Sequence, residues 1–133
     1  MRFTEHELTM AVQGAAKAVL AAQDKDVRRG RVDVEQKWKE LAGYARYKLI
    51  DGVGTQVLPV LLALPDIEVA AGEKPTFTDQ QVEHAIAETA GEGGGGRFRR
   101  KVETAARAML VKQALASLPP RQDPDALIVP DHL

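Results

Sequence analysis

Phe3-Thr4-Glu5-His6-Glu7-Leu8-Thr9-Met10-Ala11-Val12 and Phe77-Thr78-Asp79-Gln80-Gln81-Val82-Glu83-His84-Ala85-Ile86 share one pattern: Phe-Thr-acid-x-x-aliphatic-x-x-Ala-aliphatic. Each element of it has a use at the start of a helix. A threonine oxygen can accept one of the backbone N–H groups that the first turn leaves without partners. Glu7 and Gln81 stand three residues later, where a carboxylate or amide can reach back to the cap and close a capping box. Phe3 with Leu8, and Phe77 with Val82, are the flanking apolar pair of a hydrophobic staple. Glu5 and Asp79 put negative charge at the positive end of the helix dipole. Apolar residues then recur at helical spacing: Leu8, Ala11, Val12, Ala15 and Val19 in one copy, Val82, Ala85, Ile86 and Ala90 in the other. Both segments read as amphipathic helices with one buried stripe.

Working outward, Ala45-Arg46-Tyr47-Lys48-Leu49-Ile50 weakly matches Ala106-Arg107-Ala108-Met109-Leu110-Val111, each in the helix after a capped one. A duplicated helical hairpin accounts for both matches, and so does the common occurrence of well-capped helices. In the first copy a charged connection, 24–31, precedes a second helix capped by Asp33. It is expected to run to about Ile50, with Val34, Trp38, Leu41, Ala45 and Leu49 facing the core. Trp38 reads as core. Asp51-Gly52 is expected to end that helix. Residues 54–64 are apolar almost all round and read as a short buried helix with Pro59 near its first turn. Hairpin two spans 78–118. Its second helix starts near Arg97, carries the stripe Phe98, Val102, Ala105, Ala106, Met109 and Leu110, and stops at Pro119-Pro120.

The expected fold is therefore all-α, a single domain over 1–133. Four main helices form two hairpins, about 4–51 and 78–118. They are joined by the apolar helix 54–64 and a linker 65–76, and followed by a tail 119–133. A minor extended pairing of 67–69 with 127–129, or docking of the tail on the bundle, is also expected, because Ile67-Glu68-Val69 reads as a short extended piece and Ala126-Leu127-Ile128-Val129 as an apolar patch.

Composition narrows the function classes. The chain has 133 residues, 44% hydrophobic and 28% charged, as in ordinary globular domains. A net charge of −1 gives no global field for a polyanion or an anionic membrane, so a nucleic-acid site would have to be a local patch. With no cysteine, disulfides, thiolate metal sites and cysteine nucleophiles are excluded. The N-terminal residues lack the apolar region of a secretory signal, and the longest apolar run is far short of the roughly 20 residues of a membrane span. A cytoplasmic protein is expected. A single serine, no asparagine, and plentiful alanine, arginine, valine and aspartate suit a GC-rich bacterial gene.

Few motifs carry chemistry. Gly91-Glu92-Gly93-Gly94-Gly95-Gly96 has the letters of a dinucleotide fingerprint but follows a helix rather than a strand. As a P-loop it has Arg97 for the lysine and Phe98 for the hydroxyl. A helix stop and flexible linker is the plainer reading. His84 and Glu88, spaced i,i+4, have no further ligand pair, and no metal or cofactor is expected. Ser117 has no visible base, and no catalytic residue is assigned.

Two surface features remain. Arg97, Arg99, Arg100 and Lys101 open one helix, and Arg28, Arg29 and Arg31 precede another at the matching place. Converging, they would grip phosphates; scattered among acids such as Glu92 and Glu103, they are solvated surface. The apolar surplus at 54–64 would meet a second subunit through Val57, Val60, Leu61 and Leu64, or be covered within the chain by the tail. The favoured expectation is a helical binding or assembly module acting through protein contacts, as a homodimer or with another protein. The alternative is a nucleic-acid-associated or regulatory protein. A third reading is an enzyme with a site of dispersed carboxylates and histidines.

Overall fold

A computed structural model describes residues 1–90 and 97–122, with backbone only for Arg97–Arg100. Among these the regular structure is all helix: α1 (Glu5–Gln23), α2 (Lys25–Arg28), α3 (Val34–Glu40), α4 (Gly43–Ala63), α5 (Asp79–Thr89) and α6 (Arg97–Ala116).

Both capping boxes form. The Glu7 N–H donates to Thr4 Oγ1 at 3.1 Å while Thr4 N–H donates to Glu7 Oε1 at 2.9 Å. Gln81 and Thr78 repeat the exchange at 3.1 and 2.8 Å. α1 then buries Ala11, Val12, Ala15, Ala16 and Leu20. It ends at Asp24, whose carboxylate accepts from the Asp26 and Val27 N–H groups and starts α2 at once. Gly30, at φ 72°, makes the turn toward α3 in a conformation that favours glycine.

Trp38 is buried, 4% exposed, on α3. Lys17 of α1 lies over its ring at 5.8 Å and pairs with Glu35 at 2.9 Å, so one cation ties α3 to α1 by both faces of its chemistry.

The expected boundaries of the middle helices are wrong. The helix that begins at Val34 breaks at Leu41–Ala42, and a new one runs from Gly43 through Asp51-Gly52 and Pro59 to Ala63. Packing overrides the local stop signal. Val53, Gly54, Val57, Val60 and Leu61 are buried. Gly54 comes close enough to α1 that an added Cβ would touch Val12 at 3.8 Å, so this glycine serves helix contact rather than termination. Pro59 costs one hydrogen bond, but it and Thr55, whose carbonyl loses its donor, are both exposed to water. The apolar helix 54–64 is thus the second half of α4.

α1 is the central element. Its N-terminal end meets the end of α4: the Met1 amino group donates to the Leu62 carbonyl at 3.2 Å and to that of Leu64, favourable positive charge at a helix C-terminus. α6 also runs antiparallel to α1. Ser117 sits against Gly14, and Arg121 beyond it reaches Glu7. α5 packs on α4 and α6, with Asp79 bridging to Lys112 at 2.9 Å. The first halves of α4 and α6 therefore both extend toward the end of the bundle where α1 terminates.

α6 is the second correction. Most of the expected core stripe points outward: Val102 and Met109 are 53% and 69% exposed, and Ala105 and Ala106 are exposed with them, while Leu110 is half-buried against the core as expected. The inward face carries Val111, Ala114 and Leu118, with half-buried Thr104 and Arg107 a turn or two earlier. Phe98 falls among the side chains outside the description.

No strand occurs among the described residues. The tail from 123 on, and with it the expected pairing of 67–69 with 127–129, lies outside them. Instead the linker pairs with the chain at Arg121: Gly72 N–H donates to the Arg121 carbonyl at 2.7 Å, and Arg121 N–H to that of Glu73 at 2.8 Å.

Candidate interaction surface

Val57, Val60, Leu61 and Leu64 are at most 2% exposed and form the core of their own chain. They are closed to a partner. The apolar surface of α4 is carried by Tyr44 (70% exposed) and Tyr47 (62%), which the sequence sets off the core stripe as residues that pack on the next apolar segment or mark a contact surface, and by Leu62 (58%), with Ile50 at the edge. At 100° per residue Tyr44, Tyr47, Leu58 and Leu62 share the outer side of α4. A shallow apolar groove beside them, between α1 and α4, is lined by Leu8, Val12, Ile50 and Leu58 and edged by Glu5, Thr9 and Gln13. The signal was present as an apolar surplus on α4. Cutting the helix at Gly52 hides the phase relation of Tyr44 and Tyr47 to Leu62.

α6 supplies the second apolar surface, Val102, Ala105, Ala106 and Met109, continued by the exposed Gln113 and Ala116. Here the stripe itself was legible, and its direction was not.

The basic clusters are separate in kind. Arg28, Arg29 and Arg31 are exposed together around the α2–α3 turn. Lys101 is exposed on α6, while the side chains of Arg97, Arg99 and Arg100 lie outside the described residues, as does the glycine run 91–96.

Candidate acid–base groups are tied up in structure. Glu7 is 4% exposed, and Arg121 donates to it from Nη2 at 3.0 and 3.1 Å and from Nε at 3.3 Å. Burial alone would raise its pKa. The Thr4 N–H and the Arg121 guanidinium outweigh it and hold the carboxyl below its ordinary value. The cleft beside this pair is lined by Arg2, Phe3, His6, Pro119 and Pro120. Asp24 is also lowered, by the Val27 N–H against some burial, and by Lys37 at 3.3 Å. His84 meets Glu88 at 2.9 Å on an exposed face. Ser117 Oγ donates to the Gln113 carbonyl at 2.8 Å and packs on Gly14, a structural task. Among the described residues no three His, Cys, Asp or Glu side chains gather as a metal site, and no helix is long and apolar enough to cross a membrane.

The chain matches no family model, no curated protein and no solved structure.

Proposed function

We propose that this protein is a helical assembly module that acts through protein–protein contacts and associates with its own copies. One observation carries the reading. α6 presents an exposed, regularly spaced apolar stripe, Val102–Ala105–Ala106–Met109, and α4 exposes Tyr44 and Tyr47 near its start and Leu62 near its end, although a separate core lies beneath them. Single exposed apolar residues need no explanation; an ordered stripe along a helix marks a contact surface. Sedimentation equilibrium over a dilution series tests this. Association in the micromolar range is the expected result, and a monomer at millimolar concentration rejects self-association.

A second reading has its own support. Tyr44, Tyr47 and Lys48 are exposed and Arg46 half-exposed on one stretch of α4, with Lys48 Nζ 5.3 Å from the Tyr44 ring. Aromatic rings interleaved with cations suit stacking on single-stranded nucleic acid. Anisotropy of a labelled oligonucleotide at low salt, with Tyr47→Ala as control, separates the two readings.

A further inference from the structure

We infer that the end of the bundle where α1 stops is a surface for single-stranded nucleic acid, formed by the α2–α3 turn, the start of α4 and the start of α6. This inference rests on the second reading above and widens its site from one helix to three elements.

The net charge of −1 conceals a strong polarity. Residues 24–48 and 97–107 together hold 13 cations against six acids, a local charge of +7, and the rest of the chain holds five cations against 13 acids, or −8. Helix packing gathers the two basic segments. α4 runs back along α1 with Gly54 beside Val12. Eleven residues on in each direction, Gly43 comes level with Gln23, the last residue of α1. α6 also runs back along α1, with Ser117 against Gly14. Nine residues on, Ala108 reaches the same level. Residues 97–107 therefore continue about 16 Å past the end of α1, at about 1.5 Å per residue. α2 starts at this end too, and Lys37 on α3 is tied to it through Asp24 at 3.3 Å.

The cations here are available to a ligand. Arg28, Arg29 and Arg31 are exposed, and none forms an ion pair among the described residues. Nearby acids are partly spent: Asp24 caps α2 and pairs with Lys37, and Glu35 pairs with Lys17. Exposed arginines without facing acids are suited to neutralise a run of phosphates. Tyr44 and Tyr47 add two exposed rings at the same end, the first with Lys48 5.3 Å from it, and rings beside cations suit unpaired bases. A duplex keeps its base faces inside its own stack, and an anionic membrane has no bases, so neither uses the tyrosines in this way. The acidic remainder of the chain is repelled by the same polyanion and turns the basic end toward it.

Anisotropy of a fluorescein-labelled oligothymidylate, titrated at several salt concentrations, tests this. The proteins are the wild type, the triple variant Arg28→Gln/Arg29→Gln/Arg31→Gln, Tyr47→Ala, and Lys74→Gln outside the basic end, with circular dichroism to check folding. Loss of three phosphate contacts should reduce the slope of log affinity against log salt by about 2, at about 0.7 per phosphate for a single strand, and weaken binding at low salt by about tenfold or more. Tyr47→Ala should weaken binding with the slope kept, and Lys74→Gln should bind as the wild type. A triple variant with the wild-type slope, beside a weakened Tyr47→Ala, overturns the three-element surface and leaves the α4 platform standing. Equal competition by a DNA duplex, or by phosphatidylserine vesicles, overturns the single-strand assignment. A wild type that does not bind the oligonucleotide at low salt overturns both and leaves self-association untouched.

Discussion

Gly14 should tolerate no side chain. A Cβ built there would lie 1.8 Å from Ser117 Oγ and 2.2 Å from Ser117 Cβ, far inside any real contact. The second distance matters more, because Cβ cannot swing away by rotating χ1. Either α6 shifts off α1 or the strain stays in place. In an exposed helix interior, Gly→Ala gains about 1 kcal/mol from propensity. Overpacking a well-filled contact costs about 1–3 kcal/mol. The clash is deep and α1 is the hub of the bundle, so the cost should win, with a net loss of about 1–2 kcal/mol for Gly14→Ala. Ser117→Ala leaves the Cβ and should rescue little. Ser117→Gly removes it and should recover most of the loss, apart from the propensity penalty of the new glycine. Urea melts of the single and double variants give the coupling between the two sites. A Gly14→Ala protein as stable as the wild type, or no coupling to Ser117→Gly, would refute the α1–α6 crossing described above.

Glu7→Gln converts the first capping box into the form that Gln81 already uses, keeping the cap but losing the charge pair with Arg121; a loss of about 1–3 kcal/mol at neutral pH is expected in thermal or urea melts. The folded-state pKa of Glu7 is depressed, so its contribution is present above the ordinary value of 4.5 and is lost as pH falls through the lower folded value. The wild type should therefore lose stability more steeply than Glu7→Gln below that point, and parallel pH profiles would contradict the pairing. Thr78→Ala should cost about 1 kcal/mol, the usual value of an N-cap, with an unchanged melting curve as the refuting result. Trp38→Ala should cost about 3–5 kcal/mol. Wild-type tryptophan fluorescence should be blue-shifted and poorly quenched by iodide, and a solvated emission would displace α3 from α1.

How far the sequence could be read follows from what each signal depends on. Thr4, Glu7, Thr78 and Gln81 act within one turn of backbone, so their pattern was enough to place the starts of α1 and α5. The burial of Trp38 was legible for a similar reason, because a large apolar group on an amphipathic helix has one favourable side. The ends of α4 were not. Gly52 and Pro59 are local stop signals, and they were outweighed by contacts made some forty residues away in the chain, where Gly54 meets Val12. The direction of α6 was harder still. Its best apolar stripe and its core-facing positions differ by half a turn of the helix, and packing against α1, α4 and α5, far away in the chain, decides which side goes inward. The strongest stripe of α6 reads as core and yet Val102 and Met109 face outward, whereas the apolar run of α4, which reads as a buried helix, is buried within its own chain.

The central claim is that α6 keeps Val111 and Leu118 for the fold and offers Val102 and Met109 to a partner. Methyl NMR with a soluble paramagnetic agent, repeated across protein concentration, tests it most directly. In dilute protein the Val102 and Met109 methyls should relax strongly while those of Val111 and Leu118 are spared, and on concentration Val102 and Met109 should become protected. Protection of Met109 at every dilution would put the stripe back in the core, and unchanged exposure at every concentration would leave it without a partner.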